Sequence, residues 1–98
     1  MDRRLRIYLA WTPEQLTEAF SVVDQLVRAG HEVVMEACVS RWREIDRQRV
    51  SSCHCMLRLP GDNPKGDFAV DSAKVLGLPV YFSLQDCLDA LPKRAEVA

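Results

Sequence analysis

The sequence predicts an α/β fold: a three-layer α/β/α sandwich around a small parallel sheet of four strands, Rossmann/flavodoxin-like in type. One observation is that short apolar runs alternate with segments whose apolar residues recur every three or four positions, as strands alternate with helices. A second is the stretch of residues 53–83, where an apolar run ends at Pro60-Gly61, a helical segment ends at Gly77, and another apolar run follows. Such a strand–helix–strand unit forms a right-handed crossover between parallel strands.

The first third of the chain predicts a strand, a helix and a second strand. Residues 5–10 are the first strand and residues 31–36 the second. Between them Thr12 is the expected N-cap, Pro13 takes the first helical position, and Gln15 completes a capping box. The predicted apolar face of this helix consists of Leu16, Ala19, Phe20, Val23, Leu26 and Val27.

The rest of the chain continues the alternation. The predicted elements are a mostly exposed helix at residues 40–52, a strand at 53–59, a helix at 66–76, a strand at 79–82 and a last helix capped by Ser83. This order predicts the strand order 2-1-3-4, with helices on both faces. The switch point, where ligands bind in open α/β sheets, then falls between the C-terminal ends of the first and third strands.

The composition is that of one ordinary globular domain, since 48% of the 98 residues are hydrophobic and 28% are charged. We expect one domain at residues 1–92 and a loose tail at residues 93–98. The net charge of −1 would not attract nucleic acid or an anionic membrane, so neither is an expected partner. We expect no signal peptide or membrane span, and therefore a cytoplasmic protein whose four cysteines stay reduced.

Two further motifs favour structural interpretations. Cys53-His54-Cys55 looks like part of a metal site, but neighbouring strand residues point to opposite faces and the other half of a zinc site is missing. We expect no metal and no cofactor. The arginine-rich segment at residues 41–49 is interleaved with acidic residues, so a solvated, self-paired helix face is expected rather than a nucleic-acid site.

The loops at the switch point carry the candidate site. The loop at residues 60–66 could hold an anion on backbone N–H groups, or its glycines and prolines could serve turn geometry alone. Trp11 could stack on a base or pack on the first helix, and Tyr8 is expected to be half-buried. The candidate ligand-binding residues are Tyr8, Trp11, Asp62, Asn63, Lys65 and Gly66.

Four segments carry a family resemblance: IYLA, LVRAGHEVV, WREIDRQRVSSCHCMLRLPG and KGDFAVDSAKVLGLPVYFS. In their order and spacing they resemble the nucleoside 2-deoxyribosyltransferase superfamily, above all its minimal DUF4406-like branch, with 2′-deoxynucleoside 5′-phosphate N-hydrolases as further relatives. The resemblance covers nearly the whole chain. It implies a pocket for a small nucleoside- or nucleotide-like ligand and a homodimer or higher homo-oligomer.

The resemblance also implies a changed active site. These enzymes use a glutamate nucleophile eight residues before the glycine that ends the helix, and that position here is Ala69, counted back from Gly77. An acidic residue near their third strand corresponds to His54, whereas Tyr8 matches their first-strand tyrosine. We therefore expect binding with lost or altered chemistry.

Two other functions stay open. An active N-glycosidase or deoxyribosyltransferase could use another carboxylate, with Asp67 and Asp71 as weak catalytic candidates and Asp62 as a third. Asp71 lies two residues beyond Ala69, so a helix turns it to a different face. A third possibility is an interaction module without a ligand, built on residues 40–52 and the exposed Trp42.

Overall fold

The chain forms a parallel sheet with helices on both faces. The computed structural model describes residues 5–35 and 50–91. The elements are β1 (Arg6–Ala10), a 3₁₀ turn (Pro13–Gln15), α1 (Leu16–Arg28), β2 (Glu32–Met35), β3 (Cys55–Arg58), α2 (Pro64–Val75), β4 (Val80–Tyr81) and α3 (Leu84–Ala90). β1 pairs with β2 and β3, and β3 also pairs with β4, all in parallel. The predicted order 2-1-3-4 is confirmed.

The alternation of side chains along the strands divides the core into two layers. Ile7 and Leu57 face α1 and α3, whereas Tyr8 and Met56 face α2. The predicted three-layer sandwich is therefore confirmed. The α1-side cluster comprises Ile7, Leu9, Trp11, Ala19, Val22, Leu26, Cys55, Leu57, Leu59, Cys87 and Leu91, and the α2-side cluster comprises Tyr8, Ala10, Val50, Cys53, Met56, Ala69, Val70 and Ala73.

The predicted first helix is present as α1, but a narrower stripe of it is buried. Ala19, Val22 and Leu26 pack on the sheet. The rest of the predicted apolar face is exposed to solvent, because the surface of α1 that contacts the sheet is narrower than the apolar face predicted from helical spacing. The exposed members of the predicted face are Leu16 (44%), Phe20 (58%) and Val27 (54%).

The cysteines around β3 are core residues. Cys53, Cys55 and Cys87 are free thiols, each at most 5% exposed. Burial raises the pKa of Cys53. The hydrogen bond between the Cys55 and Cys87 thiols, together with burial, raises the pKa of Cys55, and the same bond lowers that of Cys87. Cys53 and Cys55 are thus held neutral, which makes them poor nucleophiles.

Some predictions lie outside the described residues. Of the helix predicted at residues 40–52, only the end is described, where Val50 and Ser51 are helical. Trp42, the arginine-rich segment and the tail at residues 93–98 fall outside the described ranges. Within those ranges no helix is long and apolar enough to cross a membrane, and no group of three side chains is placed to hold a metal ion.

Candidate ligand-binding site

The C-terminal ends of β1 and β3 lie side by side at the predicted switch point. Ala10 pairs with Arg58, and the Leu59 N–H donates to the Ala10 carbonyl at 3.1 Å. Beyond these residues the chain leaves β1 toward α1 on one face and β3 toward α2 on the other. The divergence places the β1–α1 loop beside the β3–α2 loop, which is the arrangement that forms a crevice in open α/β sheets.

Gln15 joins the two loops. Its Oε1 accepts the Thr12 N–H at 3.0 Å, the half of the capping box that the sequence predicts. Its Nε2 donates to the Pro60 carbonyl of the other loop. Gly61, with φ of +132°, leaves the room that this contact needs, since a Cβ there would lie 3.0 Å from Gln15 Nε2. The sequence indicated only the capping role of Gln15, because the partner is 45 residues away.

Arg58 organises the β3–α2 loop from inside. It is only 8% exposed. Its Nη1 donates to the Leu59 carbonyl at 3.0 Å, and its Nη2 donates to the carbonyls of Gly61 at 2.9 Å and Asn63 at 3.4 Å. Its Nε lies 2.9 Å from Asp67 Oδ1, as an ion pair without the geometry of a hydrogen bond. Sequence reasoning missed Arg58, and its only signal was a charge inside an apolar run.

Asn63 caps α2. Its Oδ1 accepts the Gly66 N–H at 2.9 Å, and its carbonyl accepts the Asp67 N–H at 2.9 Å. The Asn63 amide lies so close to Gly66 that a Cβ at that position would be 2.5 Å from Nδ2. Nδ2 itself is buried and has no hydrogen-bond partner among the described residues. Gly66 is therefore required by the cap, which favours the turn-geometry interpretation of this loop.

The inner face of α2 carries Ala69 in the same apolar cluster as Tyr8. Both are 3% exposed, and Ala10 at the end of β1 belongs to the same cluster. Tyr8 is thus buried, where the sequence predicted it half-buried, because the side chains of this cluster, Val50 and Cys53 among them, cover that face of the sheet. Among the described residues, α2 contributes only Ala69, Val70 and Ala73 to this cluster, and none is a carboxylate.

The three candidate aspartates lie in different surroundings. Asp62 is exposed on the loop. The Asp67 side chain is 68% exposed in the first turn of α2, where it pairs with Arg58. Asp71 lies on the outer side of α2, as its helical spacing predicts, and lines a cavity of about 380 Å³. The other described residues that line this cavity are Phe68, Ser72, Val75 and Leu76.

Trp11 and Lys65 are the remaining candidate residues. Trp11 is 7% exposed and packs in the α1-side cluster, which is the packing role that the sequence left open beside stacking. Its ring therefore supports the β1–α1 loop from below. Lys65 lies in the first turn of α2, and its side chain is outside the described part of the structure.

Comparison with known proteins gives a likeness of fold. No family model matches the sequence, and no curated protein matches it. The structure is similar to that of a 2-deoxyribosyltransferase from the psychrotolerant bacterium Bacillus psychrosaccharolyticus, with a TM-score of 0.62. The match covers 76% of this chain and 69% of that chain at 23% identity. The fold that the sequence predicts is therefore also the fold of a known 2-deoxyribosyltransferase.

Proposed function

We propose that the chain binds a nucleoside- or nucleotide-like molecule at the C-terminal ends of β1 and β3, and that it does not transfer deoxyribose. The observation that carries this proposal is the burial of the Ala69 methyl group in the apolar cluster that includes Tyr8, in a fold similar to that of a 2-deoxyribosyltransferase. The proposal places the chain in the superfamily of such enzymes. Its assignment to the minimal DUF4406-like branch and its oligomeric state stay predictions.

The loss of transfer follows from the chemistry. Formation of a glycosyl-enzyme intermediate requires a carboxylate against the anomeric carbon of the sugar. The family resemblance puts that carboxylate at Ala69, whose methyl group has no nucleophilic atom. Asp67 is paired with Arg58, and Asp71 lies on the outer side of α2. Neither is on the buried face of α2 that carries Ala69, so we expect binding without cleavage.

Binding is supported by the rigidity of the crevice walls. Gln15 ties the two loops together, and Arg58 holds the β3–α2 loop through three carbonyls. Walls held in this way lose little conformational entropy when a ligand binds, which favours affinity. In the proposed site Tyr8 and Ala69 form the floor, and Trp11 supports the wall. The loop residues proposed to line the site are Asp62, Asn63, Lys65 and Gly66.

The test combines binding with chemistry. Purified protein is screened by thermal unfolding against deoxynucleosides, ribonucleosides, their monophosphates and free bases, and each stabilising ligand is then incubated with the protein and analysed for released base. A ligand at 100 times its dissociation constant stabilises by about 2.7 kcal/mol, which raises the melting temperature of a domain this small by several degrees. We expect a shift with a nucleoside-type ligand and no free base.

The variants are Asp62→Ala, in the proposed site, and Asp89→Ala, which removes the same charge from α3. Weaker binding is expected only for the first. No shift with any ligand at millimolar concentration would overturn the binding proposal. Base release by the wild type would overturn the proposed inactivity and leave binding intact.

One observation favours a second candidate, N-glycoside hydrolysis by Asp71. That exposed carboxylate lines an open surface cavity together with the apolar side chains of Phe68, Val75 and Leu76, where a nucleoside could reach it. If the wild type releases base, Asp71→Asn should abolish the release, whereas Asp67→Asn should retain it. The reverse pattern would assign the chemistry to Asp67 in the first turn of α2.

A further inference from the structure

We propose that the apolar outer face of α1 is an interaction surface for a second copy of this chain, with the two α1 helices packed antiparallel. The outer face consists of Leu16, Phe20, Val23 and Val27. The inference needs no ligand and is therefore independent of the proposed function. Four features of α1 carry it: the exposure of these residues, the direction in which they face, their spacing, and the charges beside them.

The outer face is apolar although most of it is in contact with solvent. Leu16, Phe20 and Val27 are exposed, and Val23 is half-buried. Since a helix turns by about 100° per residue, the four side chains lie within about 60° of one another. The residues of α1 that pack on the sheet lie about 100° away around the helix: Ala19, Val22 and Leu26. A contiguous apolar face that stays exposed is typical of an interaction site.

The outer face points away from the sheet on the far side of β2. The helix α1 connects β1 to β2 and packs on β2, which pairs only with β1 among the described strands. Both the α-helix and the crossover from β1 to β2 are right-handed. With these two hands fixed, a rotation of about 100° from the buried side of α1, in the direction of increasing residue number, leads to the side of β2 opposite β1. A second copy can approach from this side without meeting α3.

The spacing of the outer face is the same when it is read in either direction. Its four residues follow one another at intervals of four, three and four positions, the pattern of paired helices in coiled coils. Two α1 helices packed antiparallel around a two-fold axis through the middle of this face place Leu16 opposite Val27 of the second copy. The same axis places Phe20 opposite Val23 of the second copy. The face is thus self-complementary, as a two-fold contact requires.

The polar residues beside the outer face fit the antiparallel arrangement. It places Arg28, in the last turn of α1, opposite Glu14 in the 3₁₀ turn that precedes α1 of the second copy. It also places Asp24 between the hydroxyl groups of Thr17 and Ser21 of the second copy, which can donate to it. A parallel pair would instead bring each charge next to its own copy, which is unfavourable. Charge complementarity therefore favours a second copy in antiparallel orientation.

The arrangement has a consequence for the proposed ligand site. The N-terminus of α1 follows the C-terminal end of β1, where that site lies. A two-fold axis perpendicular to α1 reverses the strands as well as the helix, so the sites of the two copies lie at opposite ends of the dimer. Each site is then built from a single copy, and a monomeric variant should bind any ligand as the dimer does.

The first experiment is sedimentation equilibrium of the wild type, Phe20→Ser and Phe82→Ser. Phe82 follows β4 and is 51% exposed against 58% for Phe20, so it is a matched control outside the outer face. We expect the wild type to dimerise reversibly between about 1 μM and 1 mM. Phe20→Ser should raise the dissociation constant at least about tenfold, and Phe82→Ser should change it less than about twofold. Urea unfolding of each variant verifies that it is folded.

A charge exchange tests the orientation. Glu14→Arg and Arg28→Glu should each weaken the dimer, because each places two like charges opposite one another across the two-fold axis. The double variant restores the opposite charges and should dimerise more tightly than either single variant. This recovery is specific to the contact between copies, since Arg28→Glu also removes the pair with Asp24 within the chain.

The outcomes are decisive for the interface and leave the proposed function untouched. A wild type that stays monomeric up to millimolar concentration overturns the proposal, and so does a dimer that Phe20→Ser leaves intact. Equal weakening by Phe20→Ser and Phe82→Ser also overturns it, because the contact would not be specific to α1. A double charge variant no tighter than the single variants overturns the antiparallel orientation that the proposal requires.

Discussion

The backbone groups at the two ends of the sheet are hydrogen-bonded by different kinds of side chain. At the N-terminal end the Leu5 N–H donates to His31 Nδ1 at 3.3 Å, and the Arg6 N–H donates to His54 Nδ1 at 2.8 Å. At the C-terminal end Arg58 donates to three loop carbonyls. At one end the strand N–H groups are thus bonded by imidazole nitrogens, and at the other the loop carbonyls are bonded by a permanent cation.

The difference indicates which end is structural and which is available for a ligand. The imidazoles satisfy N–H groups at the start of β1, where the charge of Arg6 is paired with that of Glu32. At the C-terminal end the Arg58 charge is balanced by the exposed Asp67, so this end presents a carboxylate to solvent. Substitutions should therefore act through buried hydrogen bonds and charge at one end, and through protonation at the other.

The largest expected effect comes from Arg58→Met, which removes the donors to three carbonyls and leaves Asp67 unpaired. We expect a loss of about 3 kcal/mol in the free energy of unfolding, measured by urea titration, because the arginine is buried. Arg28→Met is the control: it breaks an exposed pair with Asp24 at 3.0 Å, and should cost less than about 0.5 kcal/mol. Similar losses in both variants would show that the C-terminal end does not depend on its cation.

A smaller effect is expected from Gly66→Ala. The new Cβ would lie 2.5 Å from Asn63 Nδ2 and 2.8 Å from its Cγ, so the cap must move. We expect a loss of about 1 to 2 kcal/mol, since a lost cap outweighs the gain in helix propensity. In an Asn63→Ser background, where the shorter cap leaves room for the methyl group, Gly66→Ala should be neutral or stabilising. Additive losses in this double-mutant cycle would mean that the two residues do not interact.

The smallest effect is a pH dependence at the N-terminal end. Burial lowers the pKa of His31 below its ordinary value of 6.5, because burial penalises the charged ring. The neutral ring accepts the Leu5 N–H through Nδ1. The unfolded chain then binds more protons than the folded one, so stability rises with pH in this range. The His31 contribution is complete above about pH 6.5 and is lost as the pH falls below it through the folded-state pKa.

The measurement is the free energy of unfolding between pH 7.5 and pH 5 for the wild type and His31→Asn. Asparagine keeps an oxygen that can accept the Leu5 N–H but does not titrate, so the variant should lose less stability at low pH. An unchanged pH profile in the variant would contradict the role assigned to the neutral imidazole.

Local sequence patterns predicted most of the architecture. Apolar runs and their punctuation located every described strand, because burial on both faces of a parallel sheet demands such runs. Thr12, Pro13 and Gln15 marked the start of the first helix, since capping acts within a single turn. The helical period also put Asp71 on a different side of α2 from Ala69, as the structure has it.

The same patterns failed where partners are distant in sequence. Helical spacing assigned Phe20 to the buried face of α1, yet the sheet covers a narrower stripe and leaves 58% of that side chain exposed. Tyr8 was expected half-buried because a strand pattern does not tell how far the next helix extends over it. No role was predicted for Arg58, because its role depends on hydrogen bonds to loop carbonyls. The path of that loop cannot be inferred from the residues next to Arg58 in the sequence.

By itself the sequence determined the strands, the Ser83 cap of the last helix, the parallel order and the place of the switch point, because each follows from short-range patterns and from the right-handed crossover. The helix predicted at residues 66–76 begins earlier, at Pro64, with Asn63 as its cap. Only the tertiary structure decided which side chains lie at that switch point and how they are paired. The register between β1 and β3 sets Arg58 beside Ala10, the packing of α2 on the sheet buries Ala69, and the first turn of α2 places Asp67 next to the Arg58 guanidinium. Each of these contacts joins separate elements, and its free energy depends on their relative positions in three dimensions.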